Sequence, residues 1–179
     1  VTHVLCNAHH LRELERVVED DGHQWAKSLQ KLLLDINQDV HESNGVLAEF
    51  KINEYKKQYR KILDQGEEEC PKPPAKEAGK RDRQKKDFSL NLLERLRDFE
   101  SDTLRFMTEA IVPFTNNQGE NDLRMTKVQQ KISGCFRSME GARIFCRIRG
   151  FLSTCRKNNV NPAQALRDLF QGKFPAFMM

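Results

Sequence analysis

The chain is organised around residues 113–134, which read PFTNNQGENDLRMTKVQQKISG. Pro113 disfavours the α conformation for the residue before it, so the stretch begins as an extended approach. The side chain of Asn116 or Asn117 can accept a hydrogen bond from the first free amides of a helix. Gly134 is a favourable place for that helix to end. The stretch therefore predicts a loop followed by one helix.

Charged side chains recur on one face of this predicted helix. Glu120, Arg124, Lys127 and Lys131 stand at i, i+4, i+7 and i+11, positions that share a face. One interpretation is a solvated surface with a Glu–Arg pair that contributes about a few tenths of a kcal/mol. The other is a metal-binding carboxylate beside a row of phosphate-binding cations. The spacing alone leaves both interpretations open.

The composition is polar and shows no membrane segment. Hydrophobic residues make up 38% of the 179 and charged residues 31%, and no apolar run approaches the ~20 residues that span a bilayer. No signal peptide is expected at the start. Five cysteines without a CxxC pair predict a reducing, cytoplasmic environment rather than a disulfide framework. Because the sequence starts at Val1 rather than Met, we expect a piece of a longer protein.

The net charge of +4 is unevenly distributed. Residues 116–179 contain 11 Lys or Arg against 4 Asp or Glu, a net +7, whereas residues 1–115 carry a net −3. A basic C-terminal third is the part of the chain that would hold a polyanion.

Periodicity predicts a mainly helical chain after one short strand. The β-branched and apolar run of residues 1–6 is typical of a buried strand, with Asn7 as a cap. Helical spacing of apolar residues then predicts helices from residue 8 to about 21, from about 25 to 43, and around 47–62. Residues 65–87 break all periodicity and predict a flexible linker. Further helices are expected over 88–110, about 139–157, and from Pro162 behind a capping Asn161, followed by a loose tail at 172–179.

Four blocks of sequence resemble the bacterial DDE transposases of the insertion-sequence-66 family. The central blocks are NNQGENDLR (116–124) and KVQQKISGCFRS (127–138), the first block is CNAHHLREL (6–14), and the last is RIRGFLSTCRK (147–157). They occur in the family's order and extend over nearly the whole chain, which makes the match far more specific than a lone short motif.

The resemblance implies the C-terminal part of a ribonuclease-H-like α/β fold. Residues 1–6 would be the last strand of the catalytic core, 7–111 a helical insertion with its linker at 65–87, and 112–171 the C-terminal helices of the core. Glu120 resembles the family's third catalytic, metal-binding carboxylate. Two Asp on strands upstream of Val1 would complete a site for two Mg²⁺ or Mn²⁺ ions in the complete enzyme, so we expect this chain alone to be inactive.

The resemblance also implies partners and further site residues. We expect DNA, at element ends and target, as the main partner, together with self-association in a transposition complex and a bacterial cytoplasmic location. Cys6 and His9, a Cys-x-x-His pair, would have a structural role near the site rather than bind zinc, and Asn116 and Asn117 would lie close to it. The candidate DNA contacts are Arg124, Lys127, Lys131, Arg137, Arg143, Arg147, Arg149 and Arg156. Because Arg147 and Arg149 are two residues apart on a helix, they cannot both face one partner.

Two positions depart from the family pattern. Gly119 and Asn121 flank Glu120 where the family usually has Ala and Arg, so the helix start is weaker and one cation is lost. Natural variation and decay of a disused gene both fit these changes. The alternative function is a non-catalytic, basic helical module that binds DNA or a partner protein, and a self-contained helical bundle without the strand would favour it.

Overall fold

The structure is a computed structural model that describes residues 3–43, 45–71 and 87–178. The chain divides into two compact units, Val1–Asn116 and Asn117–Met179. Every regular element in the described ranges is helical, which confirms the mainly α class. Most of the predicted linker, residues 72–86, lies outside the described residues, as do residues 1, 2, 44 and 179.

The first unit is built on four longer helices. They are α1 (Asn7–Asp21), α2 (Gln24–Glu42), α3 (Glu49–Glu69) and α4 (Phe88–Asp98), followed by the short α5 (Glu100–Leu104) and a 3₁₀ turn, Arg105–Met107. Helices α1 and α2, α2 and α3, α3 and α4, and α1 and α4 are in contact. The predicted periods for the first two helices are confirmed, and Gly22 ends α1 with a φ of +70°.

The core of this unit lies where the apolar stripes of the helices meet. Trp25, Leu29, Tyr59, Leu63 and Leu96 are at most 1% exposed. The Tyr59 hydroxyl is satisfied in this core because it donates a hydrogen bond to the carbonyl of Leu96 at 2.8 Å. Burial and pairing of this kind are what hold a helical domain together, since isolated helices are marginal in water.

The predicted strand is not found. Residues 3–6 carry no strand assignment, and no strand occurs in the part of the chain that the structure describes. A strand needs a neighbour that pairs along its length. Instead, the Leu5 amide donates to the carbonyl of Asp102 at 3.3 Å, and Cys6 serves as the extended N-cap of α1.

Two other predictions for this unit are wrong in part. The expected helix over 88–110 is divided, since α4 ends at Asp98 and the helical run resumes at Glu100. The linker does not begin at residue 65, because α3 continues to Glu69. The Glu69 carboxylate accepts hydrogen bonds from the amides of Gln24 (2.7 Å) and Trp25 (3.1 Å), so it caps the start of α2. Phe50 in the first turn of α3 is 70% exposed.

The second unit contains three helices, α6 (Asn117–Ser133), α7 (Met139–Lys157) and α8 (Pro162–Phe170). Helix α6 contacts α7, and α7 contacts α8. Gly134 has a φ of +72° after the end of α6, as a glycine stop requires. The predicted Asn161 cap is confirmed, since its Oδ1 accepts from the Ala163 amide at 2.9 Å.

The tail of the second unit is not wholly irregular. Residues Ala176–Met178 form a 3₁₀ turn, and the Phe177 ring lies 6.4 Å from the Phe151 ring of α7, centroid to centroid. This contact attaches a segment that the sequence predicts to be loose.

Candidate catalytic carboxylate and nucleic-acid interface

Glu120 lies in the first turn of α6 and its side chain is exposed. An acidic side chain is favoured there because the free amides at a helix N-terminus carry partial positive charge. Arg124, Lys127 and Lys131 follow on the same 17-residue helix and are also exposed. The helix therefore provides the shared face that the spacing predicts, with a carboxylate at its start and three cations behind it.

Asp122 connects α6 to α7 within the second unit. Its carboxylate accepts a hydrogen bond from the Ser153 hydroxyl at 2.6 Å and pairs with the Lys157 ammonium. The Gln118 amide group donates to the same carboxylate at 3.4 Å. The pKa of Asp122 is held below its usual value, mainly by the hydrogen bond from Lys157 and next by the hydrogen bond from Ser153.

A cleft of about 380 Å³ lies between α6 and α7 in this unit. Its wall on α6 includes Gln118 and Asn121, and its wall on α7 includes Arg149 and Arg156. The Asp122–Lys157 pair also lines it. The cleft is polar and carries more positive than negative charge, which suits an anionic ligand.

The Cys-x-x-His segment lies at the start of α1. Cys6 is half-buried, and its Sγ accepts a hydrogen bond from the backbone amide of Asn116 at 3.2 Å. His9 is exposed, whereas the neighbouring His10 is 5% exposed. Burial lowers the pKa of His10, and the positive charge of Arg95 lowers it further. The buried histidine of this segment is therefore His10, which follows the predicted pair, and the structural role predicted for Cys6 and His9 stays a prediction.

Asn7 is a structural residue that the sequence predicts only as a cap. It is 1% exposed, and its Nδ2 donates to the carbonyl of Thr103 at 3.0 Å. Its backbone amide donates to the carbonyl of Phe114 at 3.1 Å. Asn7 thus ties the start of α1 to Thr103 and to Phe114 near the end of the same unit.

Comparison with known proteins decides the family. The family model described as Transposase IS66 family matches residues 1–144. The chain belongs to the IS66 transposase family. No curated protein matches the chain, and no solved structure matches it.

The IS66 match covers three of the four sequence blocks. It includes the Cys6 block, all of α6 with Glu120, and the first residues of α7. The block at 147–157 lies beyond the matched residues. Among the helices that the structure describes, none has the combined length and apolar character needed to cross a bilayer.

The predicted DNA contacts of this IS66 family member are not equivalent in the structure. Arg143 and Arg147 are exposed on α7, and Arg137 is exposed in the connection before it. Arg149 is half-buried and Arg156 is exposed, and both line the cleft. Arg149 lines the cleft and Arg147 does not, as expected for two residues that are two positions apart on a helix and therefore point in different directions.

No local sequence pattern predicts the Asp122–Lys157 pair or the cleft. The partners of Asp122 are 31 and 35 residues away on another helix, so no local spacing links them. The sequence marks Asn121 only as a departure from the family pattern, and its place in the cleft wall follows from the packing of α6 on α7.

Proposed function

We propose that this chain supplies the third metal-binding carboxylate, Glu120, of a DDE transposase with a ribonuclease-H-like catalytic core. The whole enzyme would cut and join DNA at element ends by two-metal phosphoryl transfer. The observation that carries the proposal is the family match over residues 1–144, which contains the Glu120 motif. The exposed position of Glu120 in the first turn of α6 supports it.

The chemistry of Glu120 fits the proposed ions. A carboxylate is a hard oxygen ligand of the kind that Mg²⁺ and Mn²⁺ prefer. When bound, a pair of such ions about 3.5–4 Å apart activates the attacking water or 3′-hydroxyl and stabilises the leaving oxygen. One carboxylate is too few to hold two ions tightly, so Glu120 acts together with two Asp that the family supplies from core strands.

The cations of the second unit support a role in holding DNA. Residues 116–179 carry the basic excess of the chain, and the α6 face behind Glu120 is positively charged. Contacts from Arg and Lys to phosphate oxygens would position the duplex but read little sequence, so binding would weaken steeply with salt. Self-association in a transposition complex belongs to the same proposal.

The second candidate function is DNA binding without catalysis. The described part of the first unit is a helical body with its own core and without the predicted strand, and this observation favours a self-contained helical module whose excess of basic residues lies in the second unit. Both candidates share the DNA partner, so a binding assay alone does not separate them. A cleavage assay does.

The test uses a chimera in which this chain replaces the corresponding C-terminal region of an active IS66-family transposase. The host part supplies the two Asp. We expect Mg²⁺-dependent nicking of terminal inverted repeats, and a loss of more than about 100-fold in the Glu120→Gln chimera, since mutating even the outer partners of metal ligands costs 10–100-fold. Glu140→Gln, an exposed first-turn glutamate of α7, is the matched control.

The same assay is run with the isolated 179-residue chain. We expect no nicking with Mg²⁺ or Mn²⁺. Glu120-dependent nicking by the isolated chain would contradict the proposed sharing of the site. A chimera that cuts equally well with Gln at residue 120 would leave only the non-catalytic candidate.

A further inference from the structure

The cleft between α6 and α7 contains two arginines, Arg149 and Arg156, whose charges are not neutralised by any carboxylate of the described residues. Within the part of the chain that the structure describes, neither Arg149 nor Arg156 lies within ion-pair distance of a carboxylate. The carboxylate in the cleft wall, Asp122, is already paired with Lys157 and Ser153. Arg149 is half-buried, and a half-buried cation without an acidic partner is unfavourable unless an anion or water satisfies it.

The two arginines are placed to act on one ligand. They are seven residues apart on α7, which is two helical turns on one face and about 10 Å along the axis. Gln118 and Asn121 of α6 line the opposite wall. The Gln118 amide is engaged with Asp122, whereas the Asn121 side chain makes no hydrogen bond to any described residue. Two cations and one available amide donor therefore line the same cleft.

The size and charge of the cleft select the ligand class. With Asp122 balanced by Lys157, Arg149 and Arg156 leave a net charge of +2 in the wall. A volume of about 380 Å³ is ample for a phosphate group with part of its sugar. Guanidinium groups recognise phosphate oxygens through paired, charge-assisted hydrogen bonds.

We infer that this cleft is a phosphodiester-binding site that holds one backbone phosphate of DNA. Arg149 and Arg156 are the cationic contacts, and Asn121 is the neutral donor. Asp122 is a positioning residue, since it forms an ion pair with Lys157 and thereby holds α6 against α7. The inference rests on the proposed DNA partner, and it assigns distinct functions to two of the eight candidate cations.

The experiment measures binding of the whole 179-residue chain to a labelled 20-base-pair duplex by fluorescence anisotropy, between 50 and 300 mM salt. Arg149→Gln and Arg156→Gln are each expected to weaken binding several-fold and to reduce the slope of log K against log salt by about 1. The matched control is Arg167→Gln, which removes an exposed arginine of α8 in the same unit and should leave the slope unchanged. Circular dichroism and melting curves confirm that each variant is folded.

A gain-of-function variant makes the test independent of any folding defect. Asn121→Arg adds a third unneutralised cation to the cleft and is expected to tighten duplex binding and steepen the salt slope by about 1. The inference is overturned if Arg149→Gln and Arg156→Gln behave like Arg167→Gln, or if Asn121→Arg leaves binding unchanged.

Competition with inorganic phosphate shows whether the cleft binds a DNA phosphate or free phosphate. At constant ionic strength, millimolar phosphate should not displace the duplex. Displacement that depends on Arg149 would assign the cleft to free phosphate and contradict the DNA assignment. The catalytic proposal is tested separately, by loss of cleavage on Glu120→Gln in the chimera, whereas the cleft is tested by duplex binding of the isolated chain, so failure of one can be distinguished from failure of the other.

Discussion

Asp122 of α6 accepts a hydrogen bond from the ammonium group of Lys157 at the end of α7, 35 residues further along the chain. The same carboxylate is bonded by Ser153 one turn earlier on α7. A single acidic side chain thus connects the helix of the candidate catalytic Glu to the helix of the candidate phosphate-binding arginines.

The stability contributed by Asp122 should depend on pH in the acid range. Its pKa in the folded chain is below the usual 3.8, so the folded state holds fewer protons on this group than the unfolded state does. The contribution is therefore fully present above that usual value and is lost as the pH falls through the folded pKa. We expect the difference in melting temperature between the unmodified chain and Asp122→Asn to shrink as the pH is lowered from 6 to 3.

Lys157→Gln should reproduce most of the Asp122→Asn effect near neutral pH, because it removes the other member of the pair. The expectation fails if the difference between the unmodified chain and Asp122→Asn is the same at pH 3 and at pH 6.

The Glu69 cap should stabilise the first unit. Its carboxylate accepts hydrogen bonds from the first amides of α2, Gln24 and Trp25, which otherwise have no partner inside the helix. Glu69→Ala should lower the free energy of unfolding by about 1 kcal/mol, as loss of an N-terminal cap typically does. Urea denaturation followed by far-ultraviolet circular dichroism measures it.

Glu68→Ala is the control for the cap, since Glu68 is the preceding residue on α3 and its side chain is exposed. A Glu68→Ala variant that loses as much stability as Glu69→Ala would show that the effect comes from the helix end of α3 rather than from the cap.

Gly66 allows a close approach between α3 and the core. A Cβ at this position would lie 2.7 Å from Leu93 Cδ1 and 3.0 Å from the Trp25 ring, and all three residues are buried. Gly66→Ala should therefore destabilise the unit by about 1–3 kcal/mol through overpacking, even though alanine is the better helix former.

Gly150 is the contrasting position. It also lies inside a long helix, but a Cβ there would meet nothing within 4 Å. Gly150→Ala should raise stability by about 0.5–1 kcal/mol. If both alanine variants changed the free energy of unfolding in the same direction, the close approach at Gly66 would not be the cause.

Local sequence patterns predicted most of the helices. The 3.6-residue period of residues 8–43, the Asn161–Pro162 start and the Gly134 stop each report a local physical preference, and the helices α1, α2, α6, α7 and α8 appear where those signals place them. No glycine or proline occurs within residues 88–110, so no local signal predicts the break at Phe99 that divides this helix. The extension of α3 to Glu69 depended on a capping contact to α2, which a local pattern does not contain.

The candidate site was predictable only in part. The Glu120 face follows from spacing along one helix. The cleft depends on which face of α7 meets α6, and Arg149 is distinguished from Arg147 only by that packing. The β-branched and apolar run of residues 1–6 has the composition of a strand, but pairing with a neighbouring strand is a tertiary property.

The most direct measurement of the central claim is a metal-specificity test at residue 120 in the chimeric transposase. A thiolate is a softer ligand than a carboxylate and suits Mn²⁺ better than Mg²⁺. The account predicts that Glu120→Cys abolishes nicking of terminal inverted repeats in Mg²⁺ and recovers part of it in Mn²⁺, while Glu140→Cys cuts normally with either ion. Normal cutting by Glu120→Cys in Mg²⁺ would contradict the claim that Glu120 binds the catalytic metal.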